Sequence, residues 1–328
     1  MRKIFPILLI GCLSMLFAEV FSGASQTWFA NGWGLLLTFP LYLGHILFFL
    51  WIALKFKKTS LSQLYCFGVI FALYESWITK VLWAGYMDSA GPGLGTLFGI
   101  GIPEFPVLVF FWHPIMSFIL PILVFEVLTK KVLIGHEQIL QKTSKKTIMI
   151  IIFLSLISTF IANGNQFNSF SSNLSLIGTQ LLVMGLYYIS RKIDLTIFIF
   201  SKIGFVILSI YLLLLYLVTF FFLSPDRIPN TVMPYISIII IYFIALLPIT
   251  KSKTTDIQLV AANKNQYSIK DLIIFALVTI LSINVASLLQ GISLLLLAAT
   301  YCIVAIIGTM IFIVVIYRTL NKSPNKLQ

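Results

Sequence analysis

The chain predicts an all-α integral membrane protein, a bundle of about ten transmembrane helices with both termini cytoplasmic. Two observations carry that prediction. Ten apolar runs, at roughly 4–22, 35–54, 61–84, 106–128, 147–162, 174–190, 203–223, 232–250, 272–290 and 293–317, have about the helix length that spans ~30 Å of hydrocarbon at ~1.5 Å per residue. All 22 Lys and Arg except Lys80 and Arg227 lie in alternate gaps between these runs. Basic loops stay on the cytoplasmic side, so the alternation fixes an orientation. Composition agrees. With 59% hydrophobic and 10% charged residues, the chain departs from a soluble domain, which is about half apolar and about a quarter charged.

Arg2 and Lys3 precede the first run. That run continues past Cys12 through Phe21, longer than the apolar part of a cleaved signal, and reads as a retained helix. Lys55, Lys57 and Lys58 close the second run, and Lys130 to Lys146 follow the fourth. Arg191, Lys192 and Lys202 separate the sixth from the seventh, and Lys251 to Lys270 follow the eighth. Arg318, Lys322 and Lys326 end the chain. The net charge of +12 is thus assigned to positive-inside sorting and contact with anionic lipid heads, with no nucleic-acid partner. Cys12, Cys66 and Cys302 lie in separate apolar runs and share no metal-type spacing.

The organisation is lopsided within a single polytopic domain spanning 1–328. Residues 1–128 carry helices 1–4, all six Trp and an outward Gly- and Pro-rich loop at 85–105. Such a loop takes turned conformations that other residues resist, and its length marks it as functional or mobile. Residues 147–328 carry helices 5–10, with no acid or histidine expected in the hydrocarbon interior. The Trp residues near loop ends suit an interfacial belt. Cytoplasmic connections 129–146 and 251–271 are too short for a core of their own.

Ionisable side chains inside the membrane cost about 2.5–3.5 kcal/mol each at a helix centre, so they need a partner or a task. Five stand out: His45, Glu75, Lys80, Glu104 and His113. Counting from loop ends places Glu75 and His113 both roughly 12 Å below the outer surface, and His45 near the midplane. Helices 2, 3 and 4 are consecutive and antiparallel, which favours their packing together. Gly68, Ala72, Glu75 and Thr79 form one stripe of small and polar residues on helix 3, turning Glu75 into the bundle. Pro106, Pro114 and Pro121 free backbone carbonyls around His113 on helix 4.

Glu75 and His113 are therefore expected as an acid/base pair, with Lys80, Glu104 and His45 as substrate contacts. Each residue also has a plainer use. Glu75 can lock helices through Lys80 or a histidine, Glu104 can cap helix 4, and Glu126 can pair with Lys130. A metal held by His45, Glu75 and His113 lacks any supporting motif, so no metal ligand is assigned and the cofactor stays unknown. Three function classes follow: a multi-pass cell-membrane enzyme acting near the outer face on a lipid-linked or anionic substrate, a proton-coupled carrier of a small solute, and a non-catalytic assembly protein. Membrane lipids are the expected partners in all three.

Overall fold

The computed structural model describes residues 4–190 and 193–321. The expected topogenic cations Arg2, Lys3, Arg191, Lys192, Lys322 and Lys326 lie outside those residues.

Helical segments occupy the ten apolar runs. They are α1 (Ile4–Met15, prolonged by a π-helical stretch Leu16–Val20), α2 (Phe39–Lys55, preceded by π-helical Gly34–Thr38), α3 (Leu61–Ala72) and α4 (π-helical Pro106–Ile119 continued by Leu120–Thr129). Then follow α5 (Ser144–Gly164), α6 (Ser169–Ser190), α7 (Lys202–Phe222), α8 (Met233–Lys251), α9 (Ile269–Leu288) and α10 (Gln290–Leu320). Among the described residues seven helices are long and apolar enough to cross a membrane by themselves: α2, α4, α5, α7, α8, α9 and α10. The remaining three are shorter, broken or more polar.

The third run departs from the expected single helix. After α3 the chain makes two isolated turns, Tyr74–Trp77 and Val81–Ala84, separated by Lys80 in a left-handed conformation at φ 59°. A left-handed residue ends a helix by turning the chain away from its axis. Glu75 thus sits on a broken stretch.

Helix α4 is the hub, packed against α1, α3 and α10. Its prolines explain its irregularity. Pro114 denies the Phe110 carbonyl its α-helical donor, and Tyr65 from α3 supplies one at 2.7 Å. Pro121 does the same to the Ser117 carbonyl, which accepts from Ser14 of α1 at 2.7 Å. The freed carbonyls are therefore taken by neighbouring helices. Close approach depends on Gly68, where an added Cβ would lie 2.5 Å from the Pro114 Cα.

Tryptophans serve this packing more than an interfacial belt. Trp28, Trp51 and Trp112 are buried and donate respectively to the Thr179 hydroxyl, the Phe200 carbonyl and the Ala18 carbonyl at 2.8–3.0 Å. Trp33 is exposed, as a belt residue should be. The six Trp cluster early in the sequence because the tightly packed helices do.

On the basic side the two longest connections pair with each other. Strands β3 (Lys131–Leu133) and β4 (Leu259–Ala261) are antiparallel, and the Lys142 amide donates to the Asn265 carbonyl at 2.8 Å. On the opposite side β1 (Thr96–Leu97) and β2 (Ile100–Gly101) form a small hairpin in the 85–105 loop. Arg227 holds that loop from below. Its guanidinium donates to the carbonyls of Gly85 and Met87 at 2.9 Å and of Tyr86 at 3.3 Å.

Candidate functional site

The α3 continuation and α4 bring Glu75 and His113 together. His113 Nε2 lies 3.0 Å from Glu75 Oε1, and both side chains are buried. The matched depth inferred from the sequence corresponds to direct contact. Thr79, one turn on, donates its hydroxyl to Glu75 Oε2, while His113 Nδ1 meets the Ser117 hydroxyl at 2.9 Å. Both carboxylate oxygens and both imidazole nitrogens are thus engaged, which is how a buried ionisable pair avoids its desolvation cost. The π-helical form of α4 spans this site, a conformation often found where function needs a residue re-aimed.

A second carboxylate, not among the five ionisable residues that stand out in the sequence, lies beside the first. Glu19, in the π-helical end of α1, accepts from the Tyr42 hydroxyl at 2.5 Å and from the Ser25 hydroxyl at 2.5 Å. The Tyr42 hydroxyl is 2.8 Å from that of Tyr74, the residue preceding Glu75. The Tyr74 ring packs edge-on against His113, with centroids 5.1 Å apart. The two carboxylates therefore flank a pair of phenols buried to within 2% exposure.

His45 joins the aromatic wall but not the hydrogen-bonded group. Its Nδ1–H donates to the Leu41 carbonyl at 2.7 Å, which leaves Nε2 to accept from the Tyr216 hydroxyl at 3.0 Å. Both nitrogens are used and the ring is neutral in this arrangement. It lies flat on Phe71 at 4.9 Å, so the side chain expected as a substrate contact is held by stacking in the wall.

Lys80 is committed to backbone and not to the Glu75–His113 pair. It is fully buried and its ammonium donates to the carbonyls of Thr219, at 2.7 Å, and of Leu223 at the end of α7. A cation satisfying the last carbonyls of a helix also complements its dipole. Glu104 does not cap α4 either. It is buried beside the β1–β2 hairpin, and its Oε1 accepts from the Gly93 amide at 2.8 Å. Glu126, expected to pair with Lys130, instead meets His136 Nδ1 at 2.9 Å. His136 Nε2 in turn donates to the Thr59 carbonyl at 2.9 Å, tying the basic-side cap to the turn after α2. Burial pushes the His136 imidazole down, but the hydrogen bond and charge of Glu126 and the Thr59 carbonyl push it up by more, leaving it above its ordinary value.

Chemically, the centre can hold and move a proton. If Glu75 carries the proton it donates to His113 Nε2, and Nδ1–H donates to Ser117. If Glu75 is ionised, Nε2–H donates to it and the Ser117 hydroxyl donates to Nδ1. The heavy atoms stay in place in either state. Among the described residues no three His, Cys, Asp or Glu side chains are placed to hold a metal ion.

Residues 8–323 match an uncharacterized membrane protein family, and the chain belongs to it. It is also 39% identical over 153 residues to an uncharacterized protein of Archaeoglobus fulgidus, a match covering 45% of this chain and 48% of that protein. The chain thus spans about half the length of that relative. No solved structure matches it.

Proposed function

We propose that this chain is a proton-coupled carrier of a small solute in the cell membrane, with Glu75 as the group that binds and releases the proton. The observation that carries the reading is the array Ser25–Glu19–Tyr42–Tyr74 set beside Thr79–Glu75–His113–Ser117, in which donor and acceptor roles can reverse. Tyr42 gives its proton to an ionised Glu19 and accepts from Tyr74. Once Glu19 is protonated it donates to Tyr42, whose own proton then turns towards Tyr74. A change at one carboxylate therefore reorients the phenols that face the other, and a carrier needs such linkage between proton binding and side-chain arrangement.

The second reading is a membrane enzyme acting near the outer face on an anionic or lipid-linked substrate, with Glu75 and His113 as general acid and base. Their 3.0 Å contact is within the range such a pair needs. The assignment of Lys80 to bind the anion is weakened, because its ammonium is committed to backbone carbonyls. Proteoliposomes under an imposed pH gradient separate the classes. Solute-dependent proton flux that disappears in Glu75→Gln supports the carrier. Turnover of an added anionic lipid without flux supports the enzyme, and neither, with Glu75→Gln merely less abundant, indicates an assembly protein.

A further inference from the structure

One end of the network lies next to a polar cleft. A polar cleft of about 380 Å³ opens between the α1–α2 and α5–α6 connections, lined by Gln26, Thr27, Asn165, Gln166, Asn168 and Ser171 among others. These residues bring amides and hydroxyls and no charge. The cleft is built by constrained backbone: the α1–α2 connection and the end of α5 meet so closely that a Cβ on Gly164 would fall 2.1 Å from the Gly23 carbonyl oxygen. The Gln26 amide donates to the carbonyls of both glycines, pinning them together. Thr27, Gln166 and Phe167 all have positive φ, a conformation that branched and bulky residues resist unless the surroundings impose it. Asn165 turns its amide nitrogen to the Ile161 carbonyl at 2.8 Å, and its buried oxygen has no protein donor. A polar site of that kind takes water.

Exposure then falls stepwise from the cleft to the centre. Ser25, which precedes the lining residue Gln26, is partly exposed, and so is Glu19 beneath it. Tyr42, Tyr74 and His113 are each 2% exposed. Ser25 bridges the two regimes through its 2.5 Å bond to Glu19. We propose that this cleft is the aqueous port of the buried network, with Glu19 its first proton acceptor and Ser25 the link. A hydronium in the cleft gives a proton to Ser25 Oγ as the original Ser25 hydroxyl proton passes to Glu19 Oε2. Water remains in the cleft, the serine is regenerated, and Glu19 becomes a neutral carboxylic acid with its proton on Oε2; a half-turn of the carboxyl group about Cγ–Cδ then presents that proton to Tyr42, which faces the other oxygen.

This proposal rests on the proton-handling reading, and one experiment separates the two. Purified protein is acidified rapidly through neutral pH and proton uptake is followed with a soluble indicator dye. Ser25→Ala removes the link, and Asn168→Trp plugs the exposed rim without touching the network. Each is expected to slow uptake roughly tenfold, the effect of losing one hydrogen-bonded step, while leaving the amount taken up unchanged. Wild-type rates in Asn168→Trp would overturn the port, and that variant decides if Ser25→Ala fails to fold. Where the Glu19→Gln, Glu75→Gln double variant takes up as much as wild type, the proton-handling reading itself falls and the port with it.

Discussion

Helices α1 to α4 and helices α5 to α10 solve the membrane in opposite ways. The apolar stretch of α4 is 72% buried inside the protein, whereas that of α7 is 6% buried and faces outward almost all round. In the first region side chains reach across helices to pair ionisable and aromatic groups, as in Glu75–His113, Glu19–Tyr42 and Trp112 to Ala18. In the second the cross-helix polar contacts are small and neutral, such as Asn173 with Asn284 at 2.9 Å and Ser155 with Ser282 at 3.1 Å. Hydrocarbon offers no drive for helices to associate, so close packing has to come from small residues and polar pairs. Where those are dense the bundle is tight enough to hold a buried charge. Elsewhere it is a lipid-facing wall.

The strongest way to break this contrast is at its centre. Glu75→Gln keeps the shape of the side chain and should lower the amount of proton taken up while leaving the folded protein at wild-type abundance in size-exclusion chromatography. Uptake equal to wild type would make Glu75 a structural partner only. Next in size, Gly68→Val forces a side chain into the Pro114 backbone and should lower stability by about 3 kcal/mol, the upper end of overpacking costs, read as an earlier thermal transition in detergent. The same exchange at Gly185 of α6, where a Cβ meets nothing within 4 Å, should change that transition little.

Smaller effects lie at the two faces. Arg227→Ala removes the clamp on the outer loop and should raise hydrogen exchange and proteolysis across residues 85–105 with little effect elsewhere. At the basic face His136 is held above its ordinary value by Glu126 and Thr59. A raised value in the folded state stabilises fully below the unfolded value of about 6.5 and loses that contribution as pH rises through the folded one. Thermal stability should therefore decline as pH rises from below that unfolded value through the higher folded one, and His136→Gln should flatten that slope. Smallest of all, Asn284→Leu should cost about 0.6 kcal/mol, a typical membrane hydrogen bond, and leave proton uptake intact. Gln180→Leu should also leave proton uptake intact.

What could be read from the sequence followed from scale. A hydrocarbon slab imposes long contiguous apolar runs, so an all-α membrane protein is legible in the sequence, and an ion inside such a run is costly enough to mark Glu75 and His113. Glu19 escaped because it sits three residues from the end of its run, where an acid reads as interfacial. Tyr42 and Tyr74 escaped because a tyrosine carries no such cost. The partners of Lys80 lie 139 and 143 residues away, and no local spacing announces them. Glu126 chose a histidine ten residues on over a lysine four residues on, because β3 and β4 fold that loop back over the helix end. The break in the third run has neither Pro nor Gly to signal it; its left-handed residue is Lys80, placed there by the reach to α7.

The central claim is that chemistry resides in α1 to α4 and that the other six helices support it. Proton uptake per chain, measured on purified protein across one matched set of substitutions, tests it most directly. Glu19→Gln, Glu75→Gln and His113→Gln should each reduce the amount taken up, while Gln180→Leu, Asn284→Leu and Thr300→Val should match wild type. Uptake that is lost in the second set and preserved in the first would contradict the account.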